Sequence, residues 1–173
     1  IKMKNDRVFY DRKKELKLLR EEFNNLRSGR MFVVYGRRRV GKTELLKEFL
    51  KKHKGLYILA RQESEIDQLK KASSQVAEYY NDEVIKAGPF GSWDALFIYL
   101  SEKPRIPIVI DEFPYLLQSS KKITSILQDH WDNKFSKKDS FIVLCGSSIT
   151  MMEKLLGIKS PIYGRRTEQI LLE

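Results

Sequence analysis

Hydrophobic positions along the chain keep two rhythms in turn. Leu16, Leu19, Phe23 and Leu26 recur at helical spacing, so Asp11 to Arg27 reads as an amphipathic helix, with Asp11 able to cap its start and Gly29 just past its end. Met31 to Tyr35 is then a short apolar, β-branched run of the kind that forms a buried strand. Lys42 to His53 predicts a second helix ended by Gly55, and Leu56 to Ala60 a second strand. Ile66, Leu69, Ala72, Val76 and Tyr79 give another helical stripe. After the break at Gly88-Pro89-Phe90-Gly91, Ser92 can cap a helix carrying Trp93, Leu96, Phe97 and Leu100. Pro104 and Pro107 bound a third strand, Ile106 to Ile110, and a proline at the first residue of a strand is tolerated. Ile123, Ile126, Leu127, His130 and Trp131 form one helix face. Ser140 to Cys145 is a fourth strand, Thr150 to Leu156 a short helix and Glu168 to Leu172 a fifth strand.

Strands that alternate with helices predict an α/β fold, a mainly parallel five-stranded sheet with helices on both faces. The 173 residues suit one domain with one sizeable core, and no internal repeat interrupts the alternation. The chain stops on an apolar strand with no closing element, as expected of a segment cut from a longer protein.

Composition narrows the class. No apolar run approaches the 18 or so residues of a membrane span, and the first residues, Ile1-Lys2-Met3-Lys4-Asn5-Asp6, lack the apolar stretch of a signal peptide. A cytoplasmic protein with no membrane partner is the expectation. Cys145 is the sole cysteine, which excludes a disulfide framework and a thiolate zinc site, and it reads as a small core residue. His53 and His130 have no second ligand at metal spacing and read as ordinary helix residues. The formal charge of +10, from 33 basic and 23 acidic side chains, favours anionic partners, nucleotides and nucleic acid among them. Its lysines are scattered as pairs on or beside helices, such as Lys13-Lys14, Lys51-Lys52 and Lys137-Lys138, which is the pattern of solvated faces.

The first strand runs straight into Gly36-Arg37-Arg38-Arg39-Val40-Gly41-Lys42-Thr43, the G-x-x-x-x-G-K-[ST] pattern with a strand before it and a helix after it. That context distinguishes it from a chance glycine-rich turn. Gly36 and Gly41 let the backbone curl so that successive N–H groups face phosphate oxygens, and the helix that follows adds the positive end of its dipole. Lys42 brings a cation to the β- and γ-phosphates, and the Thr43 hydroxyl is a ligand for Mg²⁺. Glu44 opens the helix beside them. Arg37, Arg38 and Arg39 can tighten phosphate binding, although at least two are expected to face solvent or other parts of the protein.

The third strand ends in Asp111-Glu112, at the strand end where ligands bind in α/β sheets. Asp111 would take Mg²⁺ directly or through water, and Glu112 is placed to orient and polarise an attacking water. Guanine-specific proteins carry Asn-Lys-x-Asp, whereas Asn133-Lys134-Phe135-Ser136 lacks the final acid. Small-molecule kinases need no such glutamate, because their substrate supplies the nucleophile. Nucleotide hydrolysis is the reading that remains. The fourth strand ends in Gly146-Ser147-Ser148; if it lies between the first and third strands, a serine there reaches the γ-phosphate or the water, Ser147 before Ser148, while the other caps the next helix.

Four spaced segments, Gly36-Arg37-Arg38-Arg39-Val40-Gly41-Lys42-Thr43-Glu44-Leu45, Asp111 to Leu116, Gly146 to Met152 and Pro161 to Thr167, resemble the archaeal-type ATPase family, as does the opening Phe9-Tyr10-Asp11-Arg12. That family belongs with the STAND-type relatives of AAA+ proteins. The resemblance covers nearly the whole chain. It implies a P-loop NTPase three-layer sandwich of strand order 5-1-4-3-2, with Val8 to Arg12, and so Phe9 and Arg12, near the adenine. It implies that one arginine of Arg165-Arg166, Arg165 first, is a sensor or, in a homo-oligomer of the longer protein, an intersubunit finger. Family members continue into a helical lid and further domains, which residues 1–173 lack. Three readings of function stand side by side: a hydrolytic ATPase motor using Mg²⁺, a slow regulatory switch between ATP and ADP states, and a nucleic-acid module with a secondary nucleotide site.

Overall fold

In the computed structural model, which describes residues 12–173, each apolar run expected as a strand forms one. These are β1 (Arg30–Gly36), β2 (Leu56–Leu59), β3 (Pro107–Asp111), β4 (Phe141–Gly146) and β5 (Glu168–Leu172). They make a single sheet of order β2-β3-β4-β1-β5, the implied 5-1-4-3-2 read from the other edge, and every pairing is parallel. The helices are α1 (Lys13–Asn24), α2 (Lys42–His53), α3 (Glu65–Tyr80), α4 (Glu83–Ala87), α5 (Trp93–Ser101), α6 (Phe113–Ser119), α7 (Ile123–Asn133) and α8 (Ile149–Leu156). Among the described residues no helix is long and apolar enough to cross a membrane.

Strand periodicity splits the interior into two layers. In β1, Phe32 and Val34 join one layer with Leu16, Leu19, Phe23, Leu45, Leu46 and Phe49 from α1 and α2. Met31, Val33 and Tyr35 point the other way, into the layer built with α3, α5, α6, α7 and α8. The central strands β1 and β4 are buried on both faces, as parallel strands covered by helices on each side must be. The register aligns Arg30 with Phe141 and Phe141 with Pro107, so the three central strands start on one line and their carboxyl ends emerge together.

Three sequence expectations needed revision. Ile66 and Tyr79 are not on the buried face of α3; they are 69% and 37% exposed. The face is rotated towards Gln68, Ser73 and Ala77, because two polar side chains find backbone partners there. Gln68 bonds both backbone groups of Arg61, and Ser73 donates to Leu69 O while accepting from Phe90 N. The short helices α4 and α6 were not anticipated: five and seven residues are too few for a periodic stripe. The first helix ends at Asn24 rather than Arg27, although Leu26 stays buried beyond it. Asp11, the expected cap, lies outside the described residues.

Phe141, at the start of β4, packs against Phe23, Phe32 and Phe49 with ring centroids 5.1–5.6 Å apart. It joins α1 and α2 to the middle of the sheet. Phe141→Ala is expected to lower the unfolding free energy by about 3–5 kcal/mol, read as a shift of the urea midpoint.

Candidate active site

Three chain segments meet at the carboxyl ends of β1, β3 and β4, and each is placed by its strand. β1 delivers Gly36, where an added Cβ would lie 2.2 Å from Leu172 O and 3.2 Å from the Val40 side chain. The loop closes at Gly41, whose φ of 92° is a left-handed conformation that glycine adopts without penalty. α2 then begins at Lys42, with its first N–H groups directed at the loop. Lys42 is 5% exposed, and its Nζ donates to Gly36 O at 2.8 Å and Arg37 O at 2.6 Å. The ammonium therefore sits inside the curl of the Gly36–Thr43 loop.

β3 delivers Asp111, which is 1% exposed. Burying a carboxylate is costly unless its oxygens find donors, and this one is surrounded by them. Oδ1 accepts from Glu112 N at 2.8 Å; Oδ2 accepts from Thr43 Oγ1 at 2.9 Å and from the Tyr57 hydroxyl. Burial, together with the Asp111 carboxylate, pushes the Tyr57 phenol well above its ordinary value, so it stays a protonated donor. Cys145, on the neighbouring strand, is fully buried, and desolvation with Asp111 nearby raises its thiol likewise. The core role expected for it fits.

The next residue turns the chain. Glu112 has φ 54° and ψ 40°, the left-handed region, and α6 starts immediately after it with Pro114 in its first turn. This bend aims the Glu112 carboxylate across to β4, where Ser147 Oγ donates to its Oε1. The two serines after β4 divide the expected tasks. Ser148 is the N-cap of α8, accepting from Met151 N at 3.4 Å, and Ser147 faces Glu112.

Arg37, Arg38 and Arg39 are all exposed, and Arg38 donates to the Tyr115 hydroxyl at 3.2 Å, tying the loop to α6. Glu44 is exposed on the first turn of α2. Arg12 donates to Val40 O at 3.2 Å, pairs with Glu15 at 3.3 Å and also reaches Glu173 O, so it braces the loop from outside. Phe9 lies outside the described residues.

Arg165 is not brought to this cluster. It precedes β5, whose parallel course starts at the opposite edge of the sheet, where Thr167 N donates to Met31 O at 2.7 Å. The seven residues of β1, at roughly 3.3 Å each, separate that edge from the Gly36–Thr43 loop. Its guanidinium clasps Asp132 at the end of α7 with two contacts of 2.8 Å, which hold the Asp132 carboxyl below its ordinary range. Arg166 bonds Gln169 at 3.0 Å instead. Also remote is a hollow of about 360 Å³ lined by Lys103, Arg105 and Lys138, at the amino ends of β3 and β4.

Among the described residues no group of three or more His, Cys, Asp and Glu could hold a metal. A cation enclosed by protein alone does not fit. Mg²⁺ does, because it keeps several waters and uses one or two carboxylates with substrate phosphates. Thr43 Oγ1 and Asp111, hard oxygen donors 2.9 Å apart, are the pair that would hold it.

A family model described as an ATPase domain predominantly from Archaea matches residues 9–173. The chain belongs to that family. An uncharacterized protein of Methanocaldococcus jannaschii is 35% identical over 164 residues, which are 92% of this chain and 34% of that protein. An uncharacterized ATP-binding protein of the same organism is 45% identical over 47 residues, 27% of this chain and 78% of that protein. The chain thus spans about a third of the length of the first of these relatives. In fold it is similar to a Walker-type ATPase of Pyrococcus abyssi, with a TM-score of 0.68 at 22% identity over 94% of this chain and 53% of that one. The ORC2 protein of Aeropyrum pernix, solved as ADPNP–ADP complexes, gives 0.66 at 18% identity over 93% and 47%.

Tyr57 and Tyr115 are the contributors that sequence reasoning missed. Tyr57 sits on β2 one strand away from Asp111, opposite Val109, and a tyrosine in a strand carries no local signal of such a contact. The backbone path after Gly146 separates the two serines, and a measurement can too. Ser148→Ala is expected to cost about 1 kcal/mol of unfolding free energy through the lost cap, with the urea midpoint as readout and with the Ser147 contact to Glu112 left in place.

Proposed function

We propose that this domain binds Mg·ATP and hydrolyses it to ADP and phosphate. The observation that carries the reading is the junction of three strand ends: a buried ammonium within the Gly36–Thr43 loop, a hydroxyl–carboxylate pair at Thr43 and Asp111, and a second carboxylate, Glu112, held by Ser147. Phosphoryl transfer asks the protein mainly for position and charge, and each of these groups supplies one of them.

The loop amides and the start of α2 receive the phosphate oxygens, and Lys42 exchanges its two carbonyl partners for the β- and γ-phosphates. When bound, a magnesium ion neutralises charge on the phosphate oxygens. Asp111 and Thr43 hold its place, and Thr43 can keep its proton on Asp111 while offering a lone pair. Glu112 orients the water and accepts its proton, and the Ser147 hydroxyl fixes the direction of that carboxylate. Adenine preference is supported by the family and by the absence of a guanine-recognition pattern.

Arg165 enters this reading only in trans. It belongs to the opposite edge of its own sheet, so a catalytic part for it requires a second copy to present it to a neighbour's site, after release from Asp132. A regulated cycle that drives or switches attached domains is the corresponding proposal for the longer protein, whose length exceeds this chain about threefold in the M. jannaschii relative.

Calorimetric titration with Mg·ATP and Mg·GTP, alongside Lys42→Ala, tests binding. ATP is expected to bind, GTP much more weakly, and Lys42→Ala to lose the ATP signal. Absence of ATP binding by the folded domain would overturn the reading. For turnover, Glu112→Gln is expected to leave ATP affinity within a few-fold and to reduce phosphate release by about 10²–10⁴. Equal turnover of that variant would remove Glu112 from the chemistry.

A further inference from the structure

We propose that Tyr57 is a positioning residue of the metal site, orienting the Asp111 carboxylate for the magnesium ion of Mg·ATP. The inference rests on the Mg·ATP reading above and deepens it. An ionised carboxylate offers about four lone-pair directions, and three of those on Asp111 are filled by protein: Glu112 N on Oδ1, and Thr43 Oγ1 and the Tyr57 hydroxyl on Oδ2. The terminal torsion of aspartate is soft, so the group turns freely unless its oxygens are held. Glu112 N holds one oxygen from the chain itself. Thr43 holds the other from α2, yet the same hydroxyl must meet the ion, so it cannot be the only anchor of Oδ2.

Tyr57 supplies the independent anchor. It comes from β2, which pairs with β3 along Leu56–Leu59, and its ring is carried by backbone that takes no part in the Gly36–Thr43 loop. Its hydroxyl fills the second lone pair of Oδ2, which leaves Thr43 one direction in which to donate. Removing a group that hydrogen-bonds a metal-ligating carboxylate typically changes metal affinity by about 10- to 100-fold.

Tyr57→Phe deletes the hydroxyl and keeps the ring. ATP affinity is measured by calorimetry in EDTA and then across a magnesium series, and Mn²⁺ binding to the ATP-bound protein is followed by electron paramagnetic resonance. The expected result is a rise of about 10-fold or more in the Mg²⁺ and Mn²⁺ concentrations for half-saturation, with ATP affinity in EDTA within two-fold of wild type. Unchanged metal dependence would overturn the inference and leave the Mg·ATP reading intact. An equal loss of affinity in EDTA would also overturn it, by making Tyr57 a support of the fold. A wild-type chain with no magnesium-dependent gain in ATP affinity removes both readings together. A second measurement needs no variant: the assigned ¹³Cζ resonance of Tyr57, with ATP bound, should move on adding Mg²⁺, and a fixed resonance counts against the inference.

Discussion

Much of this domain is organised around one buried negative charge. Asp111 lies where water cannot reach it, and a carboxylate in that position is tolerable only when its hydrogen-bond donors arrive from several directions at once. They come from β2, from the first turn of α2 and from the residue that begins the turn into α6. Each donor implies a piece of architecture. Tyr57 requires β2 in register beside β3, Thr43 requires α2 docked over the sheet, and the Glu112 amide requires the abrupt change of direction after the strand. Removing any one leaves a charge short of a partner inside the protein, so packing and chemistry cannot be varied independently here.

The central order β3-β4-β1 is what makes the junction possible. Parallel strands all end on one edge, so three segments far apart in sequence emerge within contact of one another. The same rule separates groups that stand near the site in sequence logic but not in space. Arg165 comes just before a strand, and whatever precedes a parallel strand belongs to the other edge. Its ion pair with Asp132 joins the segment before β5 to the end of α7, which is a structural task in the isolated chain.

The elements themselves were legible because their signals are local. Apolar runs, four of them bounded by glycine or proline, located five strands, and the glycine spacing before Lys42 located the loop with its helix. The order of the strands was not local, and it came from resemblance to a family rather than from periodicity. What stayed hidden was of two kinds. Short helices such as α4 and α6 have too few turns for a stripe, and the buried face of α3 departs from its apolar stripe because Gln68 and Ser73 are polar by type and buried by hydrogen bonding. The other kind is contact between strands. Nothing in Leu56-Tyr57-Ile58 says that the phenol reaches a carboxylate on the next strand, since that depends on register and pleat together. The serines were half legible: one had to cap α8 and one had to face the loop, but only the backbone path after Gly146 assigns them.

Glu112 closes the strand in a backbone conformation that costs a side-chain-bearing residue about 1–2 kcal/mol relative to glycine, and the chain nevertheless carries a glutamate there. Selection in the laboratory for resistance to heat or protease alone would drift towards glycine or asparagine at 112 and would count that as improvement. Thermal robustness and a correctly aimed carboxylate are thus opposing demands at one residue. A stabilised version of this domain would have to gain its margin elsewhere, in the aromatic layer between α1, α2 and the sheet, where no such conflict exists.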